Sequence, residues 1–431
     1  MPEMTEQQAM ELAAKLQRSG QLLDAVSVYN DLGNQLADSG APEKAAQVYR
    51  LALSIKPEQI EIQNNLGTVL LDLGQMDEAL NVLRKAVTAQ PDYCEAWNNL
   101  GNVLRSMGQI QPAIDAYRRA ISLRPDWAIP HYSMGACEML RGHFRDGWPL
   151  LEWRWRDRSL NASGRNIPKP MWDGSDLKSR TILLYSEQGF GDTIQFARYI
   201  PLVAALGGKV ICGCPPELLR LMRSIEGVDH WITVGDPVPP FDVHCPIMSL
   251  PMVLDTTLDT IPNRVPYLKT DEHILLQWRE RLKPYGNKLK IGIAWSGRPT
   301  QRHNRKRSIP FELLQSMLER DDVQFFGLQK GGNTANSSLI DWTGEFTDFS
   351  QTAGLIDNLD LVISIDSAIA HLAGALSRET WVMLAYSSDW RWMLGRDDSP
   401  WYPTMRLFRQ PQFGDWPAVV RRVVQELSCR K

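Results

Sequence analysis

The sequence predicts an α + α/β protein in which an array of helical repeats precedes two α/β domains. Two observations lead to this prediction. A pattern of small residues recurs every 34 residues through the first third of the chain, and short apolar runs alternate with helical segments through the rest. The length of 431 residues suggests two or three domains rather than one.

The first third of the chain has the pattern of stacked helical hairpins. Small residues let the two helices of a hairpin approach closely, a glycine ends the first helix, and a proline ends the second. Each hairpin leaves an apolar face that only its neighbour covers. The recurring residues are Gly33, Gly67, Gly101 and Gly135; Gly40, Gly74, Gly108 and Gly142; Ala45, Ala79 and Ala113; Pro57, Pro91 and Pro125. The pattern resembles tetratricopeptide (TPR) repeats, which form an α-solenoid.

We place four repeats in residues 26–161, with units at about 26–59, 60–93, 94–127 and 128–161. Residues 1–25 do not keep the register and are predicted to form a capping helix or a degenerate half-repeat packed on the first unit. The fourth unit carries LLEWRWRDR in place of the small residues and the proline. Its aromatic side chains predict docking against the following domain.

Asparagines on the first helices of the repeats are candidate ligands of a peptide. Stacked repeats form a groove that holds an extended segment, and asparagine pairs there would clamp its backbone. The alternative is that these amides only keep one helix face solvated. The residues are Asn64, Asn65, Asn98, Asn99 and Asn102.

The remaining two thirds of the chain predict two Rossmann-like domains with parallel sheets. After a linker at 162–180, the apolar runs TILLYS, KVICGCP, HWITVG and FDVHCP lie in 181–270, the first of these domains. A second series, LKIGIAWS, VQFFGLQ, LDLVISID, TWVMLAYS and MRLFRQ, lies in 271–413, the second domain. A final helix in 414–431 is predicted to pack back on an earlier domain.

The stretch EQGFGD follows the first of these strands. Ligands of open parallel sheets bind outside the carboxyl ends of the strands, so this position favours a functional role. Gly189 and Gly191 permit a tight turn and a close backbone approach, and Asp192 is a candidate general base. The alternative is that Asp192 only caps the helix that follows. We include Gln188 and Gln195 in the same acceptor site.

A dense cationic loop, WSGRPTQRHNRKRSIP, follows the first strand of the second series. It holds Arg298, Arg302, His303, Arg305, Lys306 and Arg307, with Ser296 at its start, and Lys330 follows the next strand. At a strand end such a loop predicts phosphate recognition. A solvated charged loop is the alternative.

Two further segments follow strands of the second series. ISIDSAIAHLAGAL carries Asp366, Ser367 and His371, and small residues at its helix start leave N–H groups open to a phosphate or a ribose. His371 alone is also compatible with a core histidine. In SSDWRWMLGR, Trp390 and Arg391 are candidates to stack on the donor and pair with its charge, with interdomain packing as the alternative for the tryptophan.

These motifs together resemble the heptosyltransferase branch of the GT-B glycosyltransferases. The resemblance implies that residues 181–270 form the acceptor side and residues 271–413 the nucleotide-sugar side. It implies that Asp192 is the base that deprotonates the acceptor and that Arg307 is the family's basic residue before the xxP. It also implies that Asp366, Ser367 and His371 form the nucleotide-sugar site, although Ala368 replaces a common glycine. With its repeats, the chain resembles bacterial TPR-linked glycosyltransferases, including flagellin glycosyltransferases.

Composition narrows the partners. The net charge of −3 argues against a strongly basic nucleic-acid binder, and we find no secretory signal and no apolar run long enough for a membrane span. The six cysteines are scattered without metal-site spacing, so we expect reduced thiols in a cytoplasmic protein.

The resemblance implies an inverting glycosyltransferase that uses a nucleotide sugar, of the ADP-heptose or CMP-nonulosonic acid class, and a protein or peptide acceptor held by the repeats. We expect no cofactor and no metal, because cationic side chains take the place of a metal. Two alternatives stay open. One is a non-catalytic TPR scaffold with a ligand-binding transferase-like domain. The other is a heptosyltransferase that acts on a lipid-linked glycan.

Overall fold

The computed structural model describes residues 4–160, 167–297, 304–331 and 337–430, except for the side chain of Arg305. The chain divides into two compact units, Met1–Cys137 and Glu138–Lys431. Within the described ranges, no helix combines the length and the apolar character that crossing a bilayer requires.

The first unit consists of antiparallel helical hairpins. Its helices are α1 (Glu6–Arg18), α2 (Leu22–Asp38), α3 (Pro42–Ile55), α4 (Ile60–Asp72), α5 (Met76–Ala89), α6 (Cys94–Ser106), α7 (Ile110–Leu123) and the start of α8 (Ala128–Leu140). Thr5 caps α1, and its hydroxyl accepts a hydrogen bond from the Gln8 N–H. The first repeat helix, α2, begins at Leu22, four residues before the start predicted for the first unit at residue 26.

The small residues of the repeat permit close helix packing, as the sequence predicts. A β-carbon on Gly33 would lie 2.4 Å from Cε1 of Tyr49, and one on Gly101 would lie 2.6 Å from Cε1 of Tyr117. A glycine also closes a first helix where the backbone turns left-handed, as at Gly74 with φ of +75°. These glycines therefore fix the distance between the two helices and the turn that joins them.

Replacing Gly33 with valine is expected to destabilise the first unit by about 1–3 kcal/mol, because the new side chain overlaps the Tyr49 ring. Chemical denaturation followed by far-ultraviolet circular dichroism measures the change. Gly344→Val is the control, since a β-carbon there meets no atom within 4 Å. Equal unfolding midpoints for the two variants would contradict the packing argument.

The second unit begins within α8 and continues through α9 (Phe144–Leu151) and a 3₁₀ segment, Glu152–Arg156. Trp155 packs on the face of the first sheet with Leu183 and Tyr185. Arg154 is buried and bonds to Glu187. The prediction that LLEWRWRDR docks against the following domain is thus confirmed.

Two parallel sheets form the body of the second unit. The first has the order β3-β2-β1-β4 and the second has the order β6-β5-β7-β8-β9. All nine strands predicted from the sequence are present: β1 (Thr181–Tyr185), β2 (Lys209–Gly213), β3 (His230–Ile232), β4 (Val243–Pro246), β5 (Leu289–Ala294), β6 (Val323–Gly327), β7 (Leu361–Ile365), β8 (Thr380–Leu384) and β9 (Met405–Arg409).

The helices of this unit cover the sheets and connect their strands. They are α10 (Phe190–Phe196), α11 (Ile200–Ala204), α12 (Pro216–Met222), α13 (Leu250–Val253), α14 (Glu272–Leu282), α15 (Asn304–Arg307), α16 (Gln315–Leu318), α17 (Phe349–Ile356), α18 (Ala368–Ala375) and α19 (Trp416–Ser428). Helix α19 buries Val419 and Val423 in the core of the second sheet, beside Ile291 and Phe325. The final helix therefore packs on the sheet that precedes it.

Candidate functional site

Asp192 lies on α10, just beyond the carboxyl end of β1. Its Oδ2 accepts a hydrogen bond from the Gly189 N–H at 3.1 Å, so the carboxylate does close the first turn of the helix. Its Oδ1 accepts from Nη2 of Arg391 at 2.5 Å, across 199 residues of sequence. The side chain keeps about a quarter of its surface exposed, at 24%. Capping is therefore one of two contacts that Asp192 makes, and the other is an ion pair with the second sheet's strand-end region.

The two glycines before Asp192 have separate roles. Gly189 is the residue that starts α10 and donates to Asp192. Gly191 faces α18, because a β-carbon there would lie 3.0 Å from Cδ2 of His371 and 3.5 Å from the α-carbon of Ala368. A plain strand-to-helix turn needs no such space, so Gly191 serves the contact between α10 and α18.

Arg391 connects the two sheets' strand ends. It follows β8, and its guanidinium is buried. Besides Asp192, the guanidinium donates through Nε to Oε1 of Gln195 at 2.5 Å and through Nη1 to Oδ1 of Asp389 at 2.9 Å. It also lies 4.4 Å from the centroid of the Trp390 ring. Gln195 thus contributes to the site by orienting Arg391.

The tryptophan next to Arg391 is used in packing, the alternative that the sequence left open. Trp390 is 4% exposed, and its ring centroid lies 5.5 Å from that of Trp148 and 6.1 Å from that of Trp401. Trp392 is fully buried and stacks on His371. We therefore correct the prediction that Trp390 stacks on a donor, because its side chain is buried among other aromatic rings and the Arg391 guanidinium lies over its ring.

His371 is buried at the first turns of α18, directly across from Gly191. Its Nδ1 is hydrogen-bonded to the hydroxyl of Tyr402 at 3.0 Å. Burial, together with the nearby cations Arg391, Arg198 and Arg307, holds the pKa of His371 well below its usual value. The imidazole is therefore neutral at pH 7 and acts as a hydrogen-bonding group rather than as a cation.

Asp366 and Arg307 meet at the carboxyl end of β7. Nη1 of Arg307 donates to the backbone carbonyl of Asp366 at 3.1 Å. Burial and the neighbouring Asp389 raise the pKa of Asp366 to about 6, against the opposing pull of Arg307 and Arg391. The sequence predicted both residues for the donor site, and the structure places them together.

The remaining predicted donor residues lie around this strand end. The hydroxyl of Ser367 accepts from the Ile369 N–H and so caps α18. The hydroxyl of Ser296 lies 3.1 Å from that of Ser308, and Nζ of Lys330 donates to the carbonyl of Phe346 at 2.5 Å. Gln188, which the sequence predicted for the acceptor site, is half-buried between β1 and α10. Arg298, Arg302 and His303 of the cationic loop lie outside the described residues, as does the Arg305 side chain.

Sequence reasoning missed Arg198, a buried cation behind the site. Its guanidinium donates to the carbonyl of Trp401 at 2.6 Å and to the hydroxyl of Tyr267 at 3.2 Å. It also lies 4.5 Å from the Tyr402 ring centroid. An arginine inside the apolar run TIQFARYIPL was the available signal, because a buried charge requires partners and so marks a long-range contact.

The asparagines of the first unit link one repeat to the next. Nδ2 of Asn99 donates to Oδ1 of Asn64 at 2.8 Å, and Nδ2 of Asn65 donates to Oδ1 of Asn34 at 3.1 Å. Asn64 is 7% exposed and Asn98 is 4% exposed. Both predicted roles, peptide clamp and solvated face, need exposed amides, so both are corrected for Asn64 and Asn98. Asn65, Asn99 and Asn102 are half-buried and stay candidates.

Comparison with known proteins identifies relatives of both parts of the chain. Residues 58–126 match the tetratricopeptide repeat family, and residues 344–421 match glycosyltransferase family 9 (heptosyltransferase). Over 342 residues the chain is 26% identical to Protein FlbA of Caulobacter vibrioides. The matched region covers 70% of this chain and 55% of FlbA. The chain thus spans about half the length of this curated relative.

Solved structures of MamA also match part of the chain. A MamA crystal structure is 22% identical over 33% of this chain and 91% of its own, with a TM-score of 0.29. MamA 41-end from Desulfovibrio magneticus RS-1 is 22% identical over 37% of this chain and 97% of its own, with a TM-score of 0.28.

Proposed function

We propose that this chain, which joins tetratricopeptide repeats to a glycosyltransferase family 9 domain, transfers a sugar from a nucleotide sugar to a hydroxyl of a protein acceptor. The observation that carries the proposal is the ion pair of Asp192 with Arg391 between two sets of strand ends, beside which Gly191 packs on His371 and Arg307 bonds to Asp366. A carboxylate on one side and cations on the other match the two charges that glycosyl transfer develops. The arrangement of two facing parallel sheets supports the GT-B type.

In the proposed reaction, Asp192 takes the proton from the acceptor hydroxyl as its oxygen attacks the anomeric carbon of the donor. The bond between that carbon and the donor phosphate oxygen breaks, and the nucleotide leaves with the bonding electrons. Attack from the side opposite the phosphate inverts the anomeric configuration. One oxygen of Asp192 must face the acceptor. We therefore expect the hydrogen bond from Arg391 to Asp192 to lengthen when substrates bind, or the same oxygen to accept from both Arg391 and the acceptor hydroxyl.

The leaving phosphate is negatively charged, and we assign its stabilisation to Arg307, Lys330 and the start of α18. Arg307 already lies at the end of β7, and the ammonium of Lys330 uses one of its donors on Phe346. The neutral His371 adds a hydrogen-bonding group without adding charge. These residues take the place of a metal ion in the proposal, and we propose that no other cofactor is needed.

We also propose which classes of donor and acceptor the protein uses. The heptosyltransferase family favours ADP-heptose, and the TPR-linked group favours a CMP-linked nonulosonic acid. We propose that the repeats recruit the protein acceptor and that the reaction takes place in the cytoplasm. Flagellin is the first acceptor to test. The half-buried Asn65, Asn99 and Asn102 are the amides in the first unit that we assign to peptide contact.

The test is a transfer assay with the full chain. ADP-heptose, CMP-nonulosonic acid, UDP-glucose and GDP-mannose are each incubated with the protein and flagellin, and both free nucleotide and the mass of flagellin are measured. We expect that one of the four donors releases its nucleotide and that the mass of flagellin rises by one sugar for each modified site. Release of no nucleotide from any donor, with or without flagellin, would contradict it.

Activity is expected to survive excess EDTA, and Arg307→Met is expected to weaken donor binding about tenfold, the scale of one charge-assisted hydrogen bond. Isothermal titration with the donor's nucleotide measures the binding. Arg320→Met is the control, because Arg320 precedes β6 and pairs with Asp322 at the opposite end of the strands. Loss of activity in EDTA that magnesium or manganese restores would refute metal independence.

A second candidate is a scaffold that binds a nucleotide ligand without turnover. The observation that favours it is that both oxygens of Asp192 already accept hydrogen bonds, from Gly189 and from Arg391. Such a protein would show nucleotide binding in titrations and no hydrolysis of the bound donor. An enzyme is expected to release nucleotide slowly from its own donor even without acceptor.

A further inference from the structure

A buried ion cluster lies beneath the loop that carries Gly189 and Asp192. Nη2 of Arg154 donates to Oε1 of Glu187 at 2.8 Å and to Oγ of Ser249 at 2.8 Å. Nη1 donates to Oε1 of Glu152 at 2.5 Å. The side chains of Arg154 and Glu187 are each 1% exposed. Such a cluster is costly to bury, and its desolvation is offset only if the geometry is held closely.

The cluster is connected to Asp192 through two peptide units. Glu187 follows the end of β1 and precedes Gly189 by two residues. The N–H of Gly189 in turn donates to Asp192. Arg154 comes from the 3₁₀ segment that follows α9, and Ser249 comes from the turn after β4. Three separate segments thus fix the height and direction of the loop from which Asp192 projects.

We propose that Arg154 and Glu187 are positioning residues for the transfer reaction, so that Arg154, which lies on the 3₁₀ segment, supports the transferase site. This inference rests on the proposed function of Asp192. The pair touches no reacting atom and acts by holding Gly189 and Asp192 in place. A displacement of about 1 Å at a reacting group costs up to 100-fold in rate, so even a small shift of the loop is measurable.

Glu187 also supplies a titration that reports on the pair. Burial raises its pKa to about 7, with Arg154 opposing the shift and Glu152 and Asp192 adding to it. The thiol of Cys245 on β4 faces the same carboxylates, and burial raises its pKa well above its usual value, so it stays neutral. Below pH 7 Glu187 gains a proton and its attraction to Arg154 weakens. Wild-type protein at pH 6 therefore resembles a Glu187→Gln variant.

The experiment compares Glu187→Gln with wild type at pH 6 and pH 8. We expect kcat of the variant to be about tenfold lower at pH 8 and close to wild type at pH 6, with the donor KM unchanged at both. Because both proteins carry Asp192, the ratio of their kcat values cancels the titration of the base itself. Arg154→Lys is expected to recover part of the activity that Arg154→Met loses. Arg156→Met is the matched control on the same segment, since its side chain is exposed.

Hydrogen exchange of the peptide covering residues 186–196, measured by mass spectrometry on substrate-free protein, tests positioning without catalysis. Faster exchange in Glu187→Gln than in Arg156→Met at pH 8 supports the inference, even if no donor is turned over and the proposed function fails. Unchanged exchange, or a kcat of Glu187→Gln equal to that of wild type at pH 8, overturns it. If an Arg154 variant does not fold, Glu187→Gln still tests the inference, because glutamine keeps the shape of the glutamate side chain.

Discussion

Asp192→Asn is expected to lower kcat by about 100-fold or more while the protein keeps its fold and its donor affinity. An amide has the shape of the carboxylate but takes up no proton, and a lost general base costs about 10²–10⁴ in rate. The amide oxygen still accepts a hydrogen bond from the Gly189 N–H, so the helix start is preserved, whereas the ion pair with Arg391 is lost. Steady-state kinetics with saturating donor measure the effect.

Asp271→Asn is the control that separates a base from a cap. Asp271 starts α14, where it accepts from the Ile274 N–H at 3.2 Å and lies 3.5 Å from Nη2 of Arg220. It therefore reproduces the backbone contact and the arginine contact of Asp192 without belonging to the candidate site. Equal activities of the two variants would show that Asp192 is only a cap.

Arg391→Met is expected to lower kcat/KM by about 100-fold or more and to destabilise the second unit by about 1–3 kcal/mol. The substitution removes the guanidinium that bonds to both Asp192 and Asp389, so neither carboxylate keeps this cationic partner. Gln195 also loses its hydrogen bond to Arg391. Both carboxylates are partly exposed, so water offsets some of the loss. Kinetics and thermal unfolding of the full chain measure the two effects.

The matched control for Arg391 is Arg378→Met. Arg378 also pairs with an aspartate, since its Nε donates to Oδ1 of Asp357 at 2.8 Å, but it precedes β8 while Arg391 follows it. A loss of stability without a loss of activity is expected there. If Arg391→Met retained activity within a few-fold of that control, the cation would be structural only.

The elements of the fold were predictable because their signals are local. Period and small residues identify the repeats, and each predicted strand is a short apolar run that ends at a polar or small residue. The strand ends also indicated where Arg307 and Asp366 would meet. That prediction needed only the rule that ligands bind at the carboxyl ends of parallel strands.

The partners of the side chains were not predictable, because they come from distant parts of the sequence. Nothing in EQGFGD indicates that Asp192 pairs with Arg391, or that Gly191 makes room for His371. Tryptophan is a residue type that commonly stacks on ligands. Only the burial of Trp390 beside Trp148 and Trp401 shows that its ring packs inside the protein instead. For Asn64, burial between repeats depends on a neighbouring hairpin, which a single repeat does not encode.

The separation in sequence between bonded partners differs greatly between the two units, and this has a consequence for folding. In the repeats, Tyr49 bonds to Asn34 across 15 residues, whereas Asp192 and Arg391 are 199 residues apart. Closing the longer loop costs roughly 2 kcal/mol more in chain entropy. Local contacts form fast and distant ones form slowly. We therefore expect the pairing of Asp192 with Arg391 to be among the last contacts to form as the chain folds.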